Sequence, residues 1–169
     1  MKHLWAPWRI QYIKGPAPQE CVFCVPPGTA GDRQSHIVYR GRLAFVILNA
    51  FPYNAGHVMI VPNRHIADLG LLDDGETLEV MRLATAAMAA IRTVYNADGF
   101  NVGVNVGRAA GAGILDHVHL HVVPRWVGDT NFMPVLGDVK VLPEDLFVTR
   151  DRLSAALRAV LASKGSEPR

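Results

Sequence analysis

The sequence predicts an α+β fold: a five-stranded, mainly antiparallel sheet with one long central helix and a C-terminal helix. Five short segments carry the apolar patterns of strands, and the first three are joined by connections too short for helical crossovers. Two longer segments, about 76–95 and 143–163, keep the apolar spacing of helices. A chain of 169 residues, half of them apolar, can bury one good core, so we expect one globular body.

The first 35 residues are predicted to form an irregular arm that packs on this body. Prolines interrupt the segment repeatedly, so no long element fits there; they are Pro7, Pro16, Pro18, Pro26 and Pro27. Trp5, Trp8 and Tyr12 need cover, either on this subunit or across an oligomer interface. The arm also carries both cysteines, Cys21 and Cys24. Their spacing favours a metal site or a redox pair over a disulfide, with two unligated thiols as the alternative.

Three strands and the long helix follow in order. Residues 36–39, 43–48 and 57–62 have the apolar character of strands, with a turn at 40–42 and a loop at 49–56. Acidic residues at positions 73, 74 and 76 open the helix, where the helix dipole favours them, and residues 96–99 close it. Helical spacing predicts a core-facing stripe of Leu78, Met81, Ala84, Ala87, Met88 and Ile91.

A fourth strand at 100–106 and a glycine-containing turn at 107–113 lead to a segment that carries three of the seven histidines. His117, His119 and His121 alternate with aliphatic residues, so the three imidazoles are predicted to share one face of the fifth strand, about 7 Å apart. We expect Pro124 to end this strand because it has no N–H for the ladder. The final helix is predicted over residues 143–163, with leucines along one side.

The histidine strand and the turn before it indicate chemistry on a phosphate. An imidazole can attack phosphorus while a neighbouring imidazolium supplies charge to the oxygens. Gly111 and Gly113 allow backbone N–H groups to approach anionic oxygens closely. The attacking nitrogen must be unprotonated, so the other ring nitrogen must donate its hydrogen to a fixed acceptor. The alternative interpretations are a solvent-facing strand that happens to carry histidines, and a metal cluster.

Composition narrows the setting of this chemistry. A formal charge of +2 and the absence of a basic run argue against a nucleic-acid partner. The first residues lack the apolar region of a signal peptide, and no stretch of the sequence approaches a membrane span. We therefore expect a cytoplasmic protein with no nucleic-acid or membrane partner.

The segment His117–Val123 matches in full the His-x-His-x-His-plus-aliphatic motif of the histidine triad (HIT) proteins, and the chain resembles that family over roughly residues 36–126. The resemblance implies a HIT-like fold, a single HIT domain over residues 36–169, and an enzyme that acts at the α-phosphate of a nucleotide. It implies that His119 attacks the α-phosphorus to give a covalent nucleotidyl-histidine and that His121 contacts the phosphate. It also implies a homodimer in which the sheet is extended.

The same resemblance implies substrate-binding roles for Asn49, His57, Asn105, Gly111, Ala112, Gly113 and Arg125. Asn49 would hold the ribose, Arg125 would help to hold phosphate groups, and the residues from 105 to 113 would line the phosphate site. His57 would be a supporting residue, with a satisfied strand histidine as the alternative. Many hydrolases of the family have Gln or Ser where this chain has Gly113. The leaving group must then be handled by the backbone, by His121 or by the substrate's own phosphates.

Within the family, the chain is most similar to the bacterial diadenosine tetraphosphate phosphorylase branch, through residues 4–9, 48–57 and 123–132. In that branch inorganic phosphate, rather than water, would resolve the adenylyl-histidine and give ADP. A divalent cation such as Mg²⁺ is compatible with such a substrate. The alternatives are a hydrolase of dinucleoside polyphosphates or adenosine phosphoramidates that uses water, a non-catalytic nucleotide sensor, and a zinc-binding interaction module.

Some branches of the family also hold a structural zinc ion. By that resemblance, Cys21 and Cys24 would complete a Cys₂His₂ site with His65 and His117, and the site would pin the arm to the catalytic strand. His36 is the alternative to His65 as the third ligand.

Overall fold

The structure is a computed structural model that describes residues 21–26, 29–129 and 144–165. Five strands form one antiparallel sheet in the order β1-β2-β3-β5-β4. The strands are β1 (Ile37–Arg40), β2 (Ala44–Leu48), β3 (Val58–Pro62), β4 (Gly99–Val104) and β5 (Leu120–Arg125). The helices are α1 (Thr29–Gln34), α2 (Asp74–Tyr95) and α3 (Leu146–Gly165), with 3₁₀ turns at Leu69–Leu71 and Arg108–Ala110. The predicted fold class is confirmed.

The two faces of the sheet are covered differently. On one face, α2 and α3 bury a large apolar core against residues such as Val46, Ile60 and Val122. On the other face lies a smaller cluster that contains Phe23, Ile37, Phe45, Ile47, Met59 and Val61. In β5, Val122 faces the helices, whereas His121 is paired with Met59 of the smaller cluster. Because side chains alternate along a strand, His121 lies on the face of the smaller cluster.

Helix α2 begins and ends with defined caps. The Asp73 carboxylate accepts the Glu76 N–H, and the Glu76 carboxylate accepts the Asp73 N–H, which is a capping box. Asn96 ends the helix in the left-handed conformation. The predicted buried stripe is right for Ala84, Ala87 and Ile91 and wrong for Leu78 and Met81, which are 50% and 51% exposed. The buried stripe is centred on residues 80, 83, 87 and 90 instead.

The histidine strand differs from the prediction at both ends. It begins at Leu120 because the Val118 N–H donates to the carbonyl of Ile66 in a loop rather than to a neighbouring strand. It continues through Pro124 to Arg125, so the prediction that Pro124 ends it is wrong. Pro124 lies beyond the last β3 partner of β5, and its carbonyl accepts from the Asn54 side chain on that side. The missing N–H therefore costs no ladder hydrogen bond.

The remaining differences are at the boundaries of elements. Residues 29–34 form the helix α1 rather than an irregular segment, since the last proline of the arm, Pro27, precedes its first turn. β4 ends at Val104 instead of residue 106, and α3 begins at Leu146, where the Asp145 side chain accepts two N–H groups of the first turn. The aromatic residues Trp5, Trp8 and Tyr12 lie outside the described residues. No described helix has the length and apolar content that crossing a membrane requires.

Candidate active site

Histidine rings form a line of contacts on the sheet face that carries the smaller cluster. The ring centroids of His119 and His121 are 4.8 Å apart, and those of His121 and His57 are 5.2 Å apart. Phe23, from the turn between the two cysteines, lies 5.0 Å from His119. The rings lean toward one another, so their spacing is shorter than the 7 Å expected of the backbone. The structure thus brings together three residues that the sequence placed in the site.

His119 is held in the tautomer that a nucleophile needs. Its Nδ1–H donates to the backbone carbonyl of His117 at 2.9 Å, which leaves the lone pair on Nε2. The residue is only 6% exposed, and this burial lowers the pKa of His119 below its ordinary value of 6.5. The ring is therefore neutral at pH 7, with Nε2 available to attack an electrophile.

His57 and His121 form a second tautomeric pair. The Tyr53 backbone N–H donates to His57 Nδ1 at 3.1 Å, so that nitrogen carries no hydrogen. The hydrogen is then on His57 Nε2, which lies 3.0 Å from His121 Nδ1 and donates to it. His121 consequently carries its own hydrogen on Nε2. His119 Nε2 can therefore form a bond to an electrophile such as phosphorus, and His121 Nε2–H can donate a hydrogen bond to an oxygen.

The strand next to β5 leaves room beside these rings. Gly103 is paired with His121 across β4 and β5, and a Cβ built on Gly103 would meet nothing within 4 Å. Asn105 directly follows Val104, which is the partner of Leu120 and the last residue of β4. The loop after it is exposed and turns at Gly107 and Gly111, where φ is +79° and +82°. The predicted phosphate-site residues therefore lie in the exposed segment between β4 and β5, and their contact with phosphate stays a prediction.

Asn49 lies at the end of β2 and faces the same group of residues. Its Oδ1 accepts the Phe51 N–H at 2.9 Å, and its Nδ2 lies 3.5 Å from His57 Nδ1. The Asn49 backbone N–H also donates to the carbonyl of His57. Asn49 is thus adjacent to His57, but the role predicted for it, contact with a ribose, stays a prediction.

Four further side chains form a compact group beside the histidines. The ligand atoms of Cys21, Cys24, His65 and His117 all lie within 4.8 Å of one another. Cys24 Sγ is 3.2 Å from His65 Nδ1 and 3.8 Å from His117 Nδ1, and Cys21 Sγ is 3.4 Å from His117 Nδ1. Tetrahedral zinc with these ligands requires separations of roughly 3.5 Å. The Nε2–H of His117 donates to the carbonyl of Pro62, which leaves Nδ1 free to ligate. The group therefore fits zinc.

Comparison with known proteins decides the family. A family model described as "HIT domain" matches residues 30–127. This chain belongs to the HIT family.

One relative and two solved structures show how closely the chain is related to known proteins. The chain is 39% identical over 162 residues to a Mycobacterium tuberculosis protein named AP-4-A phosphorylase, covering 91% of this chain and 83% of that one. A zinc-bound HIT family protein from Mycobacterium smegmatis superposes with a TM-score of 0.65 at 27% identity, over 85% and 96% of the two chains. A histidine triad nucleotide-binding protein from Sulfolobus tokodaii gives a TM-score of 0.68 at 22% identity, over 88% and 99%, and supports the fold alone.

Two residues that the sequence assigned to the site lie away from the histidine pair, and the phosphate-binding role of one of them, Arg125, stays a prediction. Arg125 is on the same face as His121, but four residues further along β5, about 13 Å away by strand geometry. There it forms an ion pair with Asp129 and donates to Asn101. The ring of His36 lies 4.8 Å from that of Phe147 and is not part of the cysteine group, so the alternative ligand His36 is wrong and His65 occupies the position.

Sequence reasoning missed several residues of the site. Phe23 gave no signal beyond its place between the cysteines, although it is 4% exposed and contacts two triad histidines. Gly103 could have been found, because it falls on the small and polar face of the predicted fourth strand. Asn54 and Asp129, which bond to each other, could not, because their contact joins segments 75 residues apart.

Proposed function

We propose that this HIT protein is a phosphorylase of dinucleoside polyphosphates such as diadenosine tetraphosphate, acting through a covalent nucleotidyl-His119. The observation that carries the proposal is the bond from His119 Nδ1–H to the His117 carbonyl, since it fixes the lone pair on Nε2 in a buried, neutral ring. The similarity to the M. tuberculosis protein named AP-4-A phosphorylase supports the choice of substrate and of phosphate as acceptor.

The proposed reaction has two displacements at the same phosphorus. His119 Nε2 attacks the α-phosphorus, the bond to the bridging oxygen breaks, and the nucleoside polyphosphate leaves. An oxygen of inorganic phosphate then attacks, the P–N bond breaks, and a nucleoside diphosphate leaves with His119 restored. Diadenosine tetraphosphate and phosphate thus give ATP and ADP. His121 donates its Nε2–H to the phosphate oxygens in both displacements.

The environment of the rings suits this chemistry. Gly113 carries no side chain to donate to the leaving group, so that task falls to His121 and to the loop N–H groups. The open space at Gly103 and the exposed 107–113 loop provide room for a chain of phosphates, with any accompanying Mg²⁺ among them. We also propose Asn49 as the residue that holds the ribose.

Zinc is proposed as a structural partner of this site. Cys21, Cys24, His65 and His117 would hold the ion, and when bound it would tie the cysteine turn to the segment that precedes β5. That turn carries Phe23, which packs on His117 and His119. The ion would therefore order the backbone around the nucleophile.

We further propose that the protein is a cytoplasmic homodimer. β4 lies at one end of the sheet order and has β5 as its partner within the described chain, so its other edge is positioned to continue the sheet into a second copy. Light scattering of the purified full chain measures this directly, and a monomeric mass at micromolar concentration would contradict it.

Product analysis tests the function. The full chain is incubated with diadenosine tetraphosphate, with and without inorganic phosphate, and products are separated by anion exchange. We expect ADP and ATP only when phosphate is present, none from His119→Ala, and unchanged turnover from His36→Ala, whose ring lies outside the site. AMP and ATP without phosphate would make the protein a hydrolase. Binding of the nucleotide without turnover in the wild type would make it a sensor.

A further inference from the structure

The loop of residues 49–56 determines the hydrogen bonding of His57. The Tyr53 N–H donates to His57 Nδ1, and the Tyr53 ring stacks on the imidazole with centroids 5.1 Å apart and an angle of 14°. The Asn54 carbonyl accepts the His57 backbone N–H at 3.1 Å. Any shift of this loop therefore changes the orientation of His57, and His57 is the donor to His121 Nδ1.

The same loop is fastened at a distant point. Asn54 Nδ2 donates to the Pro124 carbonyl at 3.0 Å and to Asp129 Oδ2 at 3.1 Å, both beyond the end of the pairing between β3 and β5. The carboxylate of Asp129 is itself fixed, because it accepts two hydrogen bonds from Arg125 and one from the Trp126 N–H. Its side chain is only 10% exposed.

The hydrogen bond from Asn54 to Asp129 is strong because the carboxylate of Asp129 is charged and nearly buried. The hydrogen bonds from Arg125 hold the pKa of Asp129 well below its usual range, so the group stays ionised across the physiological range. Hydrogen bonds to an ionised acceptor are about twice as strong as those between neutral groups. The loop is thus bound to the end of β5 and to the turn that follows it, although it has no regular structure of its own.

We propose that Asn54 and Asp129 are positioning residues, which hold the loop so that Tyr53 keeps His57, and through it His121, in the tautomer with hydrogen on Nε2. Arg125 belongs to this arrangement as the partner of Asp129. The inference rests on the proposed function only for its kinetic consequence, because the tautomers are a property of the resting protein.

Variants at both ends of the contact test the proposal. Asn54→Ala removes the side-chain donor, and Asp129→Ala removes the acceptor. Asp98→Ala is the matched control: Asp98 accepts the Val127 N–H at 2.8 Å in the same turn but has no contact with Asn54 among the described residues. The first readout is the ¹⁵N spectrum of histidine-labelled full chain without substrate, which distinguishes protonated from bare ring nitrogens.

In the wild type and in Asp98→Ala, we expect bare Nδ1 and protonated Nε2 on both His57 and His121. In Asn54→Ala and Asp129→Ala, we expect the His57 signals to shift toward a mixture of tautomers. With nucleotide and phosphate, these two variants should lose about two- to tenfold in kcat, the worth of one hydrogen bond, with KM nearly unchanged. Because both act through one contact, the double variant should lose no more than the larger single one.

Two results would overturn the proposal. One is wild-type tautomers in both variants. The other is an equal loss of kcat in Asp98→Ala, which would make the effect one of general stability. If the wild type has no phosphorolytic activity, the proposed function fails while the ¹⁵N spectra still decide the positioning role.

Discussion

Gly103 and Gly99 give the sharpest test of where the substrate lies. Both are in β4 on the same face of the sheet, paired with His121 and Arg125 respectively. A Cβ built at either position would meet nothing within 4 Å, and neither has a positive φ. Replacing each with valine is therefore the same change in the same strand, made once beside the histidines and once at the opposite end.

The two variants should be equally stabilised. Glycine inside a strand costs roughly 0.5–1 kcal/mol relative to a residue with a side chain, and valine has a high strand propensity. A gain of that size raises the melting temperature by about 1–4 °C in a chain of this length. Calorimetry or thermal circular dichroism on both variants measures it.

Their activities should differ. Directly opposed residues on antiparallel strands have Cβ atoms about 5 Å apart, so the valine methyl groups at position 103 would occupy the space beside the His121 ring. Forcing side chains into a filled site costs roughly 1–3 kcal/mol. That cost corresponds to a loss of about 5- to 150-fold in kcat/KM for Gly103→Val. For Gly99→Val, about 13 Å further along the strand, we expect no loss.

Either of two outcomes would refute this reasoning. Full activity in Gly103→Val would mean that the phosphates do not occupy the space beside the His121 ring at position 103. An equal loss in Gly99→Val would mean that the strand edge, and not the space beside His121, controls activity.

Three further predictions concern the group that fits zinc and two hydrogen-bonded residues of α2. Metal analysis of the wild type should find one zinc per chain, and Cys24→Ser should lose most of it, because a ligand of the four-residue group is removed; equal zinc in both would exclude the site. Glu76, whose side chain is 3% exposed, accepts two bonds from Arg64, so Glu76→Gln should lower the free energy of unfolding by roughly 1.5–3 kcal/mol in urea titrations. Because the Arg64 hydrogen bond lowers the pKa of Glu76, that difference should be present above pH 4.5 and shrink as the pH falls below it. Burial and the hydrogen bond to Glu144 raise the pKa of Tyr95 to about 12, so the contribution of its hydroxyl to stability should be full below pH 10 and lost as the pH rises toward 12. The difference in urea midpoint between the wild type and Tyr95→Phe should therefore fall to zero over that interval. A difference that stays constant would contradict this assignment.

Local patterns predicted most of the fold. The acidic residues Asp73 and Glu76 at the start of α2 and the short connections between β1, β2 and β3 act within a few residues, and both predictions are confirmed. The alternation of the histidines predicted a strand, but β5 begins only at Leu120. The failures have a common cause. Leu78 and Met81 fit a helical stripe as well as the buried one does, and only contact with the sheet selects between two stripes on the same helix.

The site could be predicted only where its residues form a local pattern in the sequence. Residues 117–121 carry their own pattern, so the triad could be found from sequence. The hydrogen bonds that give His57, His119 and His117 their tautomers come from backbone groups of Tyr53, His117 and Pro62, and backbone groups leave no mark in a sequence. Arg125 shows the limit of the period-two rule, since the pattern places it on the correct face but says nothing about what it pairs with.

His117, the first histidine of the triad, makes contacts with three different parts of the site. Its Nδ1 faces the two cysteines, its Nε2–H is tied to the Pro62 carbonyl on β3, and its own carbonyl accepts the hydrogen of His119 Nδ1. The imidazole, 0% exposed, is therefore fixed at both nitrogens, and with it the peptide group that orients His119. A side chain with one polar atom could satisfy the metal group or the strand, but not both. His117 thus links the group of residues that fits zinc to the strand and to His119. These contacts require an imidazole at this position whatever its part in the proposed reaction.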